Sequence, residues 1–159
     1  MNAERVAAVV AGAWVGVLAC IGAIAAPAAF ATLARADAGR LVNRMFMVEA
    51  YLSLALAVLL FLVERRRTRD AAEAGGGSLF SANLVLLLGT LFCTVAGYFA
   101  IEPMMAAARA GQGPWSFGAL HAASSSLFVL KGLLVLVLAW RLTAAARPAI
   151  TLSVTSTTS

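Results

Sequence analysis

The sequence predicts an all-α, polytopic membrane protein built as a bundle of four transmembrane helices. Of the 159 residues, 62% are hydrophobic and only 12% are charged, which is far from the balance of a soluble domain. The apolar residues form four stretches, each close to the roughly 20 residues that a helix needs to cross the bilayer. The strict alternation of a transmembrane barrel is missing from the sequence, so helices are the expected way to pair every backbone group within lipid.

One transmembrane domain is expected over residues 1–141, followed by a disordered cytosolic tail over 142–159. Pro27 is expected to bend the first helix, and Pro103 to end the third, because proline disfavours helical geometry in the residue before it. The predicted helices cover, in chain order, about residues 6–33, 41–63, 84–101 and 117–140. The predicted connections are a polar turn over 35–40, a flexible glycine-containing link over 64–83 and a turn over 111–114.

Two helices carry small residues at intervals of four. Such stripes let a neighbouring helix approach closely, so both are predicted to form helix contacts within the bundle. The two cysteines are interpreted as small packing residues of these stripes, and no disulfide or zinc site is expected. The stripes are Gly12, Gly16 and Cys20 in the first helix, and Gly89, Cys93 and Gly97 in the third.

Arginines are divided unequally between the two ends of the predicted bundle. The net charge of +5 is therefore interpreted as topology signals and lipid-headgroup contacts, with no nucleic-acid partner. Seven arginines lie at the end that holds both termini, against four at the other end. This bias predicts a multi-pass protein of the inner membrane of a bacterial cell, with cytosolic N- and C-termini. The seven are Arg5, Arg65, Arg66, Arg67, Arg69, Arg141 and Arg147, and the four are Arg35, Arg40, Arg44 and Arg109.

Ionisable side chains are expected to gather near the outer end of the bundle. Glu102 ends the predicted third helix, and His121 lies about 6 Å inside the fourth, at 1.5 Å per residue. Arg40 and Arg44 begin the second helix at the same end. Three helices therefore bring four polar side chains to one interface, which we interpret as a small polar site that faces outward.

Glu49 lies deeper in the second helix, beneath that site. A carboxylate within the apolar span should face the bundle interior or a wet cavity, or else be protonated. Ser53, one turn further along, is placed to donate a hydrogen bond to it. Ser124 and Ser125 lie one turn below His121 and complete the predicted ligand-binding set. Lys131 also lies within a span, and its long side chain is expected to reach toward the cytosol.

The outward-facing site has a functional and a structural interpretation. It can bind a small cation, relay a proton or hold a polar headgroup, or it can serve only as interhelical salt bridges that fix the bundle. Thioethers with imidazole suit Cu(I), although no His-x-x-His or Cys-x-x-Cys spacing is present. The predicted metal ligands are His121, Glu102 and Met104, and the wider set of candidates adds Glu49, Met45, Met47 and Met105.

Binding or transport of a small cation or metal complex is the leading hypothesis for function. A structural or assembly protein of the membrane without a ligand is the second. The third is a redox protein that holds haem or quinone, although one histidine allows only His/Met ligation or a histidine pair across a dimer. No nucleophile motif frames Ser124–Ser126, so an enzyme is not expected. The lipid bilayer and a second copy of the chain are the expected partners, since a bundle this short needs to oligomerise to form a pathway.

The chain resembles the transmembrane-protein-205-like family, which carries the DUF4149 domain. Four motifs support this resemblance by their order and spacing across about residues 12–138. They are Gly12-Ala13-Trp14 with Pro27 and Phe30, then Ala38-Gly39-Arg40-Leu41-Val42 with Phe46, then Glu102-Pro103, and finally Phe117-x-x-x-His121 with Ser124 or Ser125. The resemblance implies a four-helix integral membrane protein without a settled activity. Animal relatives discussed in connection with metal and drug handling favour transport only slightly, and the family pattern gives Glu49 no role.

Overall fold

Four long helices make up the part of the chain that the computed structural model describes, which is residues 3–75 and 81–146. Each helix is long and apolar enough to cross a membrane, and these residues contain no strand. The predicted all-α, four-helix membrane class is therefore confirmed. The helices are α1 (Glu4–Thr32), α2 (Arg35–Glu73), α3 (Ala82–Arg109) and α4 (Phe117–Ala145).

Two of the helices, α1 and α3, contain a turn of π-helix, at Cys20–Ala25 and Val95–Ala100 respectively. A proline follows each of these turns. Pro27 and Pro103 both lie in the first turn of the α-helical stretch that resumes there, where a missing N–H is tolerated. The expected end of the third helix at Glu102 is therefore wrong, because the chain stays helical as far as Arg109.

Helix α2 is longer than predicted at both of its ends. Its 39 residues extend over about 58 Å, which exceeds the roughly 40 to 45 Å of a whole bilayer. The expected polar turn over 35–40 is helical, with Asp37 in the favourable first turn and bonded to Arg40. The arginine-rich sequence after Glu64 is also helical as far as Glu73, which accepts a 2.8 Å hydrogen bond from Arg69 one turn before it.

The predicted loops and tail are described only in part. Gly111 and Gly113 have φ of 72° and 88° in the connection between α3 and α4, which only glycine adopts easily. That connection agrees with the predicted turn over 111–114. Of the predicted disordered tail, residues 142–145 belong to α4. The rest of the tail from residue 147, and residues 76–80 of the glycine-containing link, lie outside the described residues.

The small-residue stripes have different outcomes in the two helices. In α3, Gly89 and Gly97 lie against Leu134 and Leu127 of α4, and Cys93 is buried, so this predicted contact is confirmed. In α1, Gly12, Gly16 and Cys20 are exposed instead, so the predicted contact within the bundle is wrong. The reason is that α1 buries a different face, which contains Trp14 and Leu18. The inward residues recur at helical spacing and are Ala7, Ala11, Trp14 and Leu18.

Polar contacts join all four helices at the end where α1 begins and α4 ends. We call these residues the Glu64 cluster. Its buried carboxylate accepts hydrogen bonds from Ser81 Oγ and Asn83 Nδ2 at 2.9 and 3.0 Å, beside the start of α3. Arg67 joins α2 to α1 through Glu4 at 2.6 Å, and Arg141 of α4 donates to Asn83 Oδ1 at 2.8 Å. This end is therefore fixed by directional bonds. The members are Glu4, Glu64, Arg67, Ser81, Asn83 and Arg141.

Candidate functional site

A second polar cluster lies in the middle of the bundle. We call it the central cluster and define it as Trp14 of α1, Glu49 and Ser53 of α2 and Lys131 of α4. Lys131 is the middle residue of the 29-residue helix α4, which is about 44 Å long and so matches a whole bilayer. Its ammonium group therefore belongs near the midplane of the membrane. Glu49 is at the same depth, because each of the two residues lies 14 positions after the first residue of its helix.

Hydrogen bonds connect the four side chains of the central cluster in a line. Lys131 Nζ donates to both carboxylate oxygens of Glu49, at 2.7 and 2.8 Å. Ser53 Oγ donates to Glu49 Oε1, as predicted, and accepts a 2.9 Å hydrogen bond from Trp14 Nε1. Three helices are thus joined around one carboxylate.

This cluster is almost entirely shielded from its surroundings. Glu49 is 2% exposed and Lys131 is 4% exposed, so of the alternatives predicted for Glu49 the bundle interior is the one observed. The Phe128 ring lies 5.0 Å from Lys131 Nζ and packs edge-on against Phe46, which closes one side. Thr90 and Thr94 of α3 are buried too, but their hydroxyls donate to carbonyl oxygens of their own helix. The central cluster is therefore a buried ion pair with its own hydrogen-bond partners.

The ion pair has two chemical options at the midplane, which are to stay a neutral pair or to exchange the ammonium proton for another cation. A carboxylate and an ammonium group cancel each other's charge, and a charge left alone there would be strongly disfavoured. The same pair can release a proton from nitrogen if another cation takes the place of the ammonium group beside the carboxylate. Because these two states carry the same net charge, exchanging one for the other does not create a new buried charge.

The predicted outward-facing residues are placed quite differently. Arg40 and His121 are exposed, and Arg40 bonds to its neighbour Asp37. The His121 ring is stacked 5.7 Å from the Phe117 ring, whose face also holds the Arg109 guanidinium at 4.6 Å. These contacts tie the outer ends of α3 and α4 together. Among the described residues, no hydrogen bond or ion pair joins Arg40, His121 and Glu102 to one another.

Glu102 and Arg44 are not joined by an ion pair within the described residues. Glu102 is half-buried, and both side chains lie close enough to the Tyr98 hydroxyl to act on it electrostatically. Within the described residues, the one side-chain hydrogen bond of Arg44 is a 3.8 Å contact with Met47 Sδ. The structure thus brings a carboxylate and a guanidinium near one tyrosine without a direct bond between them.

The remaining predicted ligands point in several directions. Ser124 Oγ donates a 3.3 Å hydrogen bond to the carbonyl oxygen of Gly97, within the π-helical turn of α3. Ser125 and Met104 are exposed. Within residues 3–75 and 81–146, no three His, Cys, Asp or Glu side chains lie together as a metal site would require. The metal-binding roles assigned to His121, Glu102 and Met104 stay predictions.

Sequence reasoning missed two members of the central cluster. The expected reach of Lys131 toward the cytosol is wrong, because Glu49 offers it a counter-charge at its own depth. Trp14 entered the sequence argument only as part of a motif. Helix register gives a signal for the Glu49–Lys131 pair only with the observed helix starts, 14 positions before Glu49 and before Lys131, because the predicted starts at 41 and 117 place the two residues 8 and 14 positions in. Trp14 and Ser53 show the same agreement, each lying 18 positions from the outer end of its helix.

Comparison with known proteins gives a family but no activity. No curated protein matches the chain, and no solved structure does. The profile of DUF4149, a domain of unknown function, matches residues 9–114. That range includes Trp14, Glu49 and Ser53 and ends before α4, which supplies Lys131. Since the match covers about two thirds of the sequence, the chain belongs to the DUF4149 family.

Proposed function

We propose that this protein binds a small cation at Glu49 and releases the proton of Lys131 in exchange. The observation that carries the proposal is the buried pair itself, with Lys131 Nζ at 2.7 and 2.8 Å from the two Glu49 oxygens. In the exchange, an N–H bond of the ammonium group breaks and its proton passes to water. The electron pair stays on the nitrogen, and the incoming cation takes the place of the ammonium group beside the carboxylate.

The chemistry of the central cluster favours a hard cation. The Glu49 carboxylate and the Ser53 hydroxyl beside it both offer oxygen atoms, and oxygen is the ligand that hard cations prefer. The lysine serves as a tethered cation that fills the site until another arrives. Because the charge of the cluster stays constant, the exchange avoids the large penalty of an unpaired charge at the membrane centre.

The proposal moves the site inward from the outward-facing location that the sequence suggested. Glu102, His121, Arg40 and Arg44 then lie on the outer approach, and Glu49 is the place where the cation is held. Arginine counts support cytosolic termini in a bacterial inner membrane, so that this approach faces away from the cytosol. The order of the sequence motifs supports a relationship to the transmembrane-protein-205-like family. The small size of the bundle supports transport by an oligomer, since one bundle is too short of helices to form a pathway.

Proton release on cation addition tests the exchange. Purified protein in mild detergent and weak buffer, with a pH-sensitive dye, would receive lithium, sodium or potassium chloride, with choline chloride as the oversized control. We expect about one proton per chain for at least one of the small cations and none for choline. The double variant Glu49→Gln with Lys131→Met should release none. Glu64→Gln is the matched control, because it changes the other buried glutamate and should release as many protons as the wild type.

A purely structural role in helix packing is the second candidate function, and the complete pairing of buried polar atoms favours it. Every buried side-chain nitrogen and oxygen among the described residues has a hydrogen-bond partner, as a cluster that only fixes helix packing requires. Under this alternative, none of the small cations releases protons from the wild type, although the protein is folded and monodisperse. That result would reject the exchange and leave the packing role.

A further inference from the structure

A groove lies between α1 and α2 and is bordered by Glu49. Its volume is about 270 Å³. Val17 and Ile21 of α1 form one wall, and Met45, Val48 and Leu52 of α2 form the other, with Arg44 at the outer end. Leu52 lies eight positions after Arg44, which corresponds to about 12 Å along the helix. The groove is therefore an elongated apolar slot with one positive charge at its end.

The charge of Arg44 lacks a partner within the described part of the chain. Arg44 lies five residues, or about 7.5 Å, outward from the depth of Glu49, so its backbone is well inside the bilayer. It forms no ion pair with a described carboxylate, and Met47 Sδ at 3.8 Å is a weak acceptor. Glu49 also borders the groove, but both its oxygens bind Lys131 Nζ. Arg44 is exposed and its long side chain can extend toward the outer surface, so an anion in the lipid beside the groove can reach its guanidinium.

We infer that the groove binds a single-chain amphiphile with a small anionic head, namely a long-chain carboxylate. The carboxylate head accepts paired hydrogen bonds from the Arg44 guanidinium, a geometry that arginine and carboxylate favour. The hydrocarbon chain lies along the apolar walls toward Leu52. This site uses neither proton release nor the Glu49–Lys131 exchange, so it stands or falls independently of the proposed function.

Size and depth distinguish this occupant from a phospholipid. The groove is slightly smaller than the roughly 300 Å³ at which pockets for small molecules begin, which suits one chain better than two. A phospholipid phosphate lies about 20 Å from the midplane, near the headgroup boundary. Arg44 starts about 7.5 Å from the depth of the central cluster, so a small head on a single chain reaches it more readily.

Photo-crosslinking tests the occupant directly. The probe is palmitate with a diazirine midway along its chain, so that the reactive group lies within the length of the groove, added to the purified full-length protein in mild detergent. Peptide mapping should place the label on the groove walls around Val17, Ile21 and Leu52. Unlabelled palmitate should compete, whereas hexadecanol, which has the same chain but no charge, should compete at least tenfold less well. Equal competition by hexadecanol, or stronger competition by phosphatidylglycerol, would overturn the carboxylate assignment.

Two variants and a control connect the labelling to the groove. Arg44→Gln should lower the labelling at least tenfold, because it removes the charge that holds the head. Val48→Trp should do the same by filling the slot while leaving Arg44 in place. Arg40→Gln is the matched control one turn away and should label like the wild type. If thermally stable Arg44→Gln protein labels as strongly as the wild type, or the label maps outside the groove, the inference is wrong.

Discussion

The central cluster and the outer group of Arg40, Arg44, Glu102 and His121 contain the same kinds of side chain but are organised in opposite ways. In the central cluster, opposite charges on α2 and α4 meet directly and are almost completely buried. In the outer group, Arg40 bonds within its own helix and His121 stacks on Phe117, both at exposed positions. Two side chains on different helices must therefore lie at a similar depth to make contact, and the helix faces that hold them must also face each other.

The difference follows from what each location demands. Near the membrane surface, water and headgroups solvate an arginine or a histidine, so pairing adds little stability. At the midplane no such solvent is available, so the chain must supply the partner itself. The central cluster should therefore be sensitive to substitution, and the outer group should tolerate it.

The largest expected effect comes from breaking the ion pair of the central cluster. Lys131→Met should lower the free energy of unfolding by about 3 to 5 kcal/mol, because it leaves the Glu49 carboxylate buried without a counter-charge. The double variant Glu49→Gln with Lys131→Met should recover most of that loss, since two neutral groups can pack in the same space. Denaturant titration in mild detergent measures both. A single variant as stable as the wild type would show that the pair is not needed for the bundle.

An intermediate effect is expected where α1 packs beside the central cluster. A Cβ atom at Gly22 would lie 2.8 Å from Cε1 of Phe128, the ring that covers Lys131. Gly22→Ala should therefore destabilise the protein by about 1 to 3 kcal/mol through overpacking. Gly16→Ala on the same helix is the matched control, because nothing lies within 4 Å of the added atom. The control should be neutral or slightly stabilising, and equal effects of the two changes would argue against this packing.

The smallest effect is expected in the outer group. Arg40→Gln removes an exposed bond to Asp37 and should change the free energy of unfolding by less than about 0.5 kcal/mol. The same denaturant titration applies, with Lys131→Met as the positive control. A loss above 1 kcal/mol would show that Arg40 supports the bundle through contacts other than its bond to Asp37.

Composition and apolar run length were enough to predict the four-helix class, because lipid leaves the backbone few alternatives. The ends of the helices were harder to place. Proline at 103 suggested a stop, yet the π-helical turn before it leaves the proline in the first turn of a new stretch, where helix geometry accepts it. The ERRRTRD sequence suggested a loop, but ion pairs one turn apart, such as Arg69 with Glu73, stabilise it as helix.

The candidate site was only partly predictable, for reasons of helix orientation. Glu49 and its bond with Ser53 follow from spacing within one helix, and both were predicted correctly. The bond with Lys131 depends on which face α4 turns toward α2, and residue spacing within a single helix does not contain that information. The contact predicted for the small-residue stripe of α1 was wrong for the same reason, because Trp14 and its buried neighbours form the inward face instead.

The separation of 82 residues between Glu49 and Lys131 has a consequence for synthesis of the chain. At roughly 5 to 20 residues per second, the ribosome finishes Lys131 about 4 to 16 s after Glu49. During that interval α2 is a nascent helix whose acid has no counter-ion. An unpartnered charge is strongly disfavoured at that depth, so the arrival of α4 with Lys131 would supply the missing counter-charge and lock the newborn bundle.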